Sequence, residues 1–562
     1  MRKKTRRMAR TRELFLGGLF MGLAGFGVTQ GWCADDNNVT NSVSPIAAAP
    51  NAATVDALMN LFVKKGFVSQ EEVDQVKAEA DAYQTNVISQ SSLSKWKISD
   101  GVKKIELFGD IRVRYEDRYA NDPTGGRVEL QRERYALRLG LRGTFLDDFY
   151  YGMRLETSSN PRSTWVTAGG SSGPYGKSTA GINIGQAYLG WKQGHWLDVT
   201  LGKMPNPLYT TTMVWSGSIN PEGAAENFKY TVGEADFFAT FGQFVYQNLS
   251  PNNISSGLSG LGSSGQTVPN LYQIAWEGGL TYHITDRLSA KAAATIYEYF
   301  GLQASTANSG TSSAPYYSDA YVGEGAYAGK GSQNPVSGWS GYTPGGNYQY
   351  SPAGSPTIYA SQNYLNNQVG VNDLLVLEVP AELDYKFDRL TARIFGDFAY
   401  NFQGNQRAEA ASSGYQAYLT AQTPTPATIS TFAPQTSQVK AYQIGFGLGS
   451  TNLVYGPTQG LVYGTDSAKN TWEFRTYWQH VEQYSLDPNL LDTDFFNGLE
   501  NMQGVYVSFA YGFSANVIGT VRYGYADRID RTLGTGGSSQ DIPQISPVNS
   551  FSILQLEMTV RF

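Results

Sequence analysis

From Leu554 to Phe562 every second residue is apolar: Leu554, Leu556, Met558, Val560 and Phe562 alternate with Gln555, Glu557, Thr559 and Arg561. Period-two alternation places the two sets on opposite faces of a β-strand. The pattern recurs upstream, where Ile105, Leu107, Ile111, Val113 and Tyr115 oppose Glu106, Asp110, Arg112 and Arg114, and Tyr135, Leu137, Leu139 and Leu141 oppose Arg134, Arg138 and Arg142. Three later stretches read as hairpins with tight turns at 284–287, at Asp388-Arg389 and near Asn516. The other strand ends connect through long polar segments at about 158–181, 250–269, 301–371 and 403–440. Short turns on one rim and long loops on the other are the asymmetry of a transmembrane antiparallel β-barrel of the outer-membrane type. The expected fold is therefore all-β, with the barrel over residues 103–562. About 460 residues at about 28 per strand and connection give about 16 strands, the range being about 14 to 18. At that size a barrel encloses water.

The segment before the barrel reads differently. Arg2, Lys3, Lys4, Arg6, Arg7, Arg10 and Arg12 precede an apolar run over 14–28, the pattern of a signal peptide within residues 1–34. Residues 35–53 form an Asn-, Ser-, Ala- and Pro-rich linker. Over 54–98, Val55, Leu58, Leu61 and Phe62 make one helical stripe, Gly66 breaks it, and Ser69 to Glu72 reads as a capping box opening a second helix. This short N-terminal periplasmic helical segment is a helical hairpin or a short coiled coil.

Composition narrows the function. Residues 1–34 carry seven basic residues and one acid, so their removal takes the formal net charge from −6 to −12, which argues against nucleic acid as a partner. The single cysteine, Cys33, excludes an internal disulfide. The mean hydropathy of −0.33 is compatible with membrane strands because alternate residues face a wet lumen. His195, His283 and His480 are scattered, so no triad or metal site is expected, nor any cofactor or enzymatic activity.

Gln186-Ala187-Tyr188-Leu189, Gly202-Lys203-Met204-Pro205-Asn206-Pro207, Trp215 and Asn220-Pro221-Glu222-Gly223 resemble the "putative porin" family of Gram-negative bacteria, as do Gly396-Asp397-Phe398-Ala399-Tyr400-Asn401 and Asp494-Phe495-Phe496. Ser216-Gly217 departs from the acidic residue expected after the tryptophan. The resemblance implies an outer-membrane diffusion channel and does not identify a solute. The leading expectation is a passive channel for ions and small hydrophilic solutes, in contact with membrane lipid and lipopolysaccharide, with a homotrimer as the expected assembly. Phe562, a terminal aromatic on the lipid-facing register, resembles the signal read by the barrel-assembly machinery. Two other readings stay open: a structural sheath anchoring a periplasmic partner or an electron-conduit component, and a channel specific for an oligosaccharide or an anion. The chain has no Cys-x-x-Cys-His, so any haem would belong to another protein.

The pore chemistry expected from the sequence rests on eight residues. Arg112, Arg114, Arg134, Arg138, Arg142 and Arg154 fall on the polar faces of the first three strands and would form a basic wall. The segment 205–229 after the fifth strand begins with Pro-Asn-Pro and carries Glu222 and Glu226. Folded inward, it would set an acidic loop against the basic wall and create a transverse field. The alternative is that the arginines pair locally with Asp110, Glu116, Glu133 and Glu156 and fill the lumen.

Overall fold

The structure, a computed structural model, describes residues 64–65, 102–121, 125–146, 148–158, 163–169, 181–247, 271–300, 373–409, 438–450, 469–535 and 548–562. The N-terminal segments 1–34 and 35–53 lie outside these residues, as does the helical segment 54–98 apart from two residues. Most of the four long polar segments lies outside them too.

The chain runs as β1 (Val102–Asn121), β2 (Arg127–Phe145), β3 (Phe149–Ser158), the two-residue β4 (Val166–Thr167), β5 (Gly181–Gln193), β6 (Leu197–Lys203), β7 (Glu222–Val232), β8 (Ala235–Gln247) and β9 (Leu271–His283). It continues as β10 (Leu288–Phe300), β11 (Leu375–Lys386), β12 (Thr391–Asn401), β13 (Lys440–Gly449), β14 (Trp472–Val481), β15 (Met502–Gly512), β16 (Val517–Arg528) and β17 (Ser550–Arg561). Sixteen long strands form an antiparallel meander, and β4 folds back onto β2 through Tyr135↔Val166. The meander closes where β1 meets β17, in register from Asp110↔Arg561 to Asn121↔Ser550. Closure leaves no sheet edge and satisfies the backbone polar groups within the wall, the condition for crossing a bilayer with strands. Among the described residues no helix is long and apolar enough to cross a membrane.

Burial is inverted relative to a water-soluble sheet. Outward Leu107 is 59% exposed and Val505 47%, whereas inward Glu116, Thr295 and Glu378 are 0% exposed. Alternation therefore sorts apolar side chains to lipid and polar ones to the lumen. Aromatic residues gather at both ends of the outward face. Tyr385, Phe387, Phe513 and Phe562 stand at the short-turn rim, and Tyr400, Phe402 and Tyr525 toward the other, as the interfacial belts require.

The seam is fitted by one glycine. Gly109 exchanges backbone hydrogen bonds with Phe562 at 2.9 and 3.1 Å, and a Cβ there would come within 2.7 Å of the Phe562 ring. The predicted turns at 284–287, Asp388-Arg389 and Asn516 all join strands on the short-turn rim. The exception on that rim is the connection of β13 to β14 across 450–471.

Candidate functional site: the lumen and its two inward loops

The first inward loop joins β6 to β7. Its neck is a pair of glycines facing each other in register, Gly202 at φ +111° and Gly223 at φ +151°. A side chain at either would meet a backbone carbonyl, that of Ala187 at 2.4 Å or Gln243 at 2.1 Å, so only glycine allows the chain to leave and re-enter the wall there. Met204 N donates to Pro221 O at 3.0 Å and closes the neck. Beyond it Pro205 and Pro207 limit the backbone, and Asn206 Oδ1 accepts from Leu208 N at 3.0 Å in a local turn.

The loop crosses the lumen and docks on the far wall. Tyr209 N donates to Glu277 of β9 at 2.7 Å, and Thr210 Oγ1 donates to Glu378 of β11 at 2.6 Å. Thr211 Oγ1 donates to Asp397 of β12. Trp215, 2% exposed, packs edge-on to Phe244 and against Tyr297, with ring centroids at 6.1 and 6.3 Å.

Two expectations need correction here. The loop ends at Pro221, because Glu222 opens strand β7, so neither Glu222 nor Glu226 is a loop residue. Both occupy the outward register of that strand. Glu222 pairs with Lys203 at 2.6 Å, and Glu226, opposite Val199 and Phe241, accepts from Gln243 at 3.3 Å. The acidic groups that meet the inward loop are instead Glu277, Glu378 and Asp397, which the sequence reading missed. Asp397 belongs to the family landmark quoted above, and that landmark was the available signal.

A second inward loop, 482–501 between β14 and β15, was not anticipated from the sequence. Asp494 accepts from Arg114 at 3.0 Å and from Gln555 at 3.1 Å, and Asn497 Oδ1 accepts from Arg118 at 2.7 Å. On the other side Asp487 accepts from Tyr299 OH at 2.8 Å and Tyr246 OH at 3.2 Å. Ser216 N donates to Leu490 O at 2.7 Å and joins the two loops. Met213, Trp215, Leu490, Phe495, Phe496 and Tyr506 belong to one apolar cluster, so the loops hold a packed core inside the barrel. Burial, then the neighbouring Asp494 charge, pushes the Asp492 carboxyl up to about 7. For Asp494 burial also acts upward, but the Arg114 and Arg118 guanidinium groups hold it below the usual carboxylate range.

All six predicted arginines have an inward register and a carboxylate partner. Arg112 and Arg138 both bind Asp110, at 2.7 and 2.8 Å. Arg114 binds Glu557 at 2.7 Å, Arg154 binds Glu156 at 3.0 Å, and Arg142 pairs with Glu106. Arg134 reaches Glu116 at 3.7 Å. Glu116 also collects Arg118 at 2.8 Å, Arg114 at 3.6 Å and Arg132, an arrangement that includes two arginines the sequence reading did not single out. Glu133 points outward and takes no part in these pairs.

Beneath the first inward loop, on the short-turn side, lies a chamber of about 700 Å³. Its roof is the loop segment from Met204 to Tyr209, and its walls come from inward residues of β3 and β5 to β10. Two lysines line it, Lys229 of β7 and Lys291 of β10. The Lys291 ammonium sits 3.8 Å from the centre of the Tyr209 ring, a cation–π contact between wall and loop.

The sequence profile of the family described as "Putative porin" matches residues 121–562. No curated protein sequence matches this chain. Solved structures similar to it include OprB of Pseudomonas putida, at 12% identity over 84% of this chain and 96% of that one with a TM-score of 0.40. The anion-selective porin from Comamonas acidovorans is similar at 9% identity over 82% and 99%, with a TM-score of 0.36. OmpT of Vibrio cholerae is similar at 11% identity over 82% and 99%, with a TM-score of 0.35. The family match spans most of the chain: the protein belongs to the "Putative porin" family, and with its closed sixteen-strand barrel it is an outer-membrane channel for solutes.

Proposed function

We propose that this porin passes small hydrophilic solutes passively, by a route narrowed by its two inward loops, and that it catalyses no reaction. The observation that carries the reading is the first loop's span from the β6–β7 neck to Glu277, Glu378 and Asp397 on the far wall. A loop held at both ends across a lumen sets the passage by its own side chains and not by the barrel diameter. The packed core between the loops favours a restricted path over a wide general pore, and thus supports the solute-specific alternative. Export by a cleaved segment within residues 1–34, assembly through Phe562, a homotrimer in lipopolysaccharide-bearing membrane and a periplasmic role for the 54–98 helices complete the proposal.

Planar-bilayer recording of the purified protein tests it. Discrete conductance steps in KCl are expected from protein that also shifts on a detergent gel when boiled. A heat-modifiable barrel with no steps would favour a structural sheath.

A further inference from the structure

We infer that the chamber beneath the first inward loop is a binding subsite for a small organic carboxylate, held between Lys229 and Lys291; the inference rests on reading the barrel as a solute channel. The argument begins with which polar groups in the chamber are already used. Asp236 accepts from Thr231 Oγ1 at 2.6 Å and lies 3.0 Å from His283 Nε2. Asp198 accepts from Tyr150 OH and has Lys192 at 3.7 Å. Glu277 accepts from Tyr209 N at 2.7 Å, Thr240 at 3.0 Å and Thr295 at 3.2 Å. The chamber's own acids are thus occupied by protein donors.

The lysines lack a partner at ion-pair distance. Among the described residues neither ammonium group forms an ion pair, in contrast to all six arginines named above. The carboxylate in register with Lys291 is Glu382, which Arg393 holds at 3.2 Å; Lys291 stands in the field of Glu382 and Glu277 without an ion pair to either. Lys291 rests on the rings of Tyr209 and Phe238, at 3.8 and 5.1 Å, which uses its charge but none of its three N–H donors. Lys229 stands opposite Phe238 in the β7–β8 register, so both lysines border the same part of the chamber. The complement to two ammonium groups whose N–H donors are unused is an anion. A space of about 700 Å³ exceeds a hydrated inorganic ion, and its lining carries Tyr150, Tyr188 and Phe238 from the wall and Leu208 from the roof, which fit the body of an organic molecule.

The test uses full-length protein in planar bilayers with benzoate as the probe. Benzoate is expected to reduce the KCl current in a saturable manner, and Lys229→Gln and Lys291→Gln are each expected to weaken that block about tenfold. Lys291→Arg should retain it. Benzyl alcohol and benzylammonium should block far less than benzoate. Equal block by the neutral alcohol, phosphate blocking as tightly as benzoate, or wild-type block in both glutamine variants would overturn the proposal. If the protein carries no KCl current, the channel reading fails separately. Equilibrium binding of labelled benzoate to the detergent-solubilised protein then decides the subsite: saturable binding lost in Lys291→Gln supports it, and no saturable binding refutes it.

Discussion

The wall built from β1, β2, β16 and β17 and the wall built from β7 to β10 face one lumen and use charge in opposite ways. On the first, Arg114 shares Glu557 with Arg522, each at 2.7 Å, and Glu116 gathers four arginines. These charges are spent on one another and on the second inward loop. On the other wall Glu277 is held by hydroxyl and amide donors and Asp236 by Thr231 and His283, while among the described residues neither Lys229 nor Lys291 forms an ion pair at contact distance, Lys291 meeting Glu277 and Glu382 only through space. A dense cluster of cations is therefore a poor guide to where a solute meets positive charge. What matters is which cations lack a counter-charge at contact, because charges paired at contact cancel within a few ångströms and one without such a partner projects more of its field outward.

The largest effect separating the two walls should come from Glu116. Removing the carboxylate at the centre of four guanidinium groups leaves buried cations uncompensated, so Glu116→Gln should cost about 3–5 kcal/mol, read as a lower unfolding temperature of the barrel band on detergent gels. A shift no larger than that of an exposed turn variant such as Asp286→Asn would mean that the cluster is not structural.

Next in size is the anchor of the first inward loop. Trp215→Ala should remove about 3 kcal/mol of loop docking and raise single-channel conductance, because a loosened loop no longer narrows the lumen. Unchanged conductance in that variant would place the narrow point elsewhere.

A smaller effect concerns pH. The Asp492 carboxyl is raised to about 7 in the folded loop from an ordinary carboxylate value near 3.8. The folded state thus holds a proton that the unfolded chain has released, and this contribution to stability declines as pH rises from about 4 to 7, then levels off. Asp492→Asn should remove that decline. Unfolding temperatures of wild type and variant across this range give the comparison, and parallel curves would contradict it.

Much of the architecture was legible because lipid contact acts on every strand. An outward stripe such as Leu554, Leu556, Met558, Val560 cannot be interrupted without placing polar groups in hydrocarbon, and so the alternation persists in the sequence. Strand β7 escaped recognition at its start because its outward positions there are Glu222, Ala224 and Glu226, with the apolar run Phe228, Tyr230, Val232 beginning later. Partners of the arginines were only partly legible. Asp110 lies two residues from Arg112, but Glu557 lies 443 residues from Arg114 and Asp494 lies 380, distances over which spacing carries no information. The second inward loop gave no period to read, since its buried residues are held by lumen contacts and not by a regular element. Lys291 was detectable as the one cation on the Ser289, Lys291, Ala293, Thr295 face of β10, yet the absence of an ion pair to it among the described residues emerges only from the closed barrel.

The central claim is that the lysine wall, and not the arginine wall, sets the field a permeant ion meets. Reversal potentials across a gradient from about 0.01 M to 0.1 M KCl, where the Debye length is about 30 to 10 Å, test it most directly. Lys229→Gln/Lys291→Gln should shift preference toward cations, whereas Arg154→Gln/Glu156→Gln, which deletes one paired cation together with its carboxylate, should stay at the wild-type potential. An unchanged potential in the lysine variant, or an equal shift in the ion-pair variant, would contradict the account.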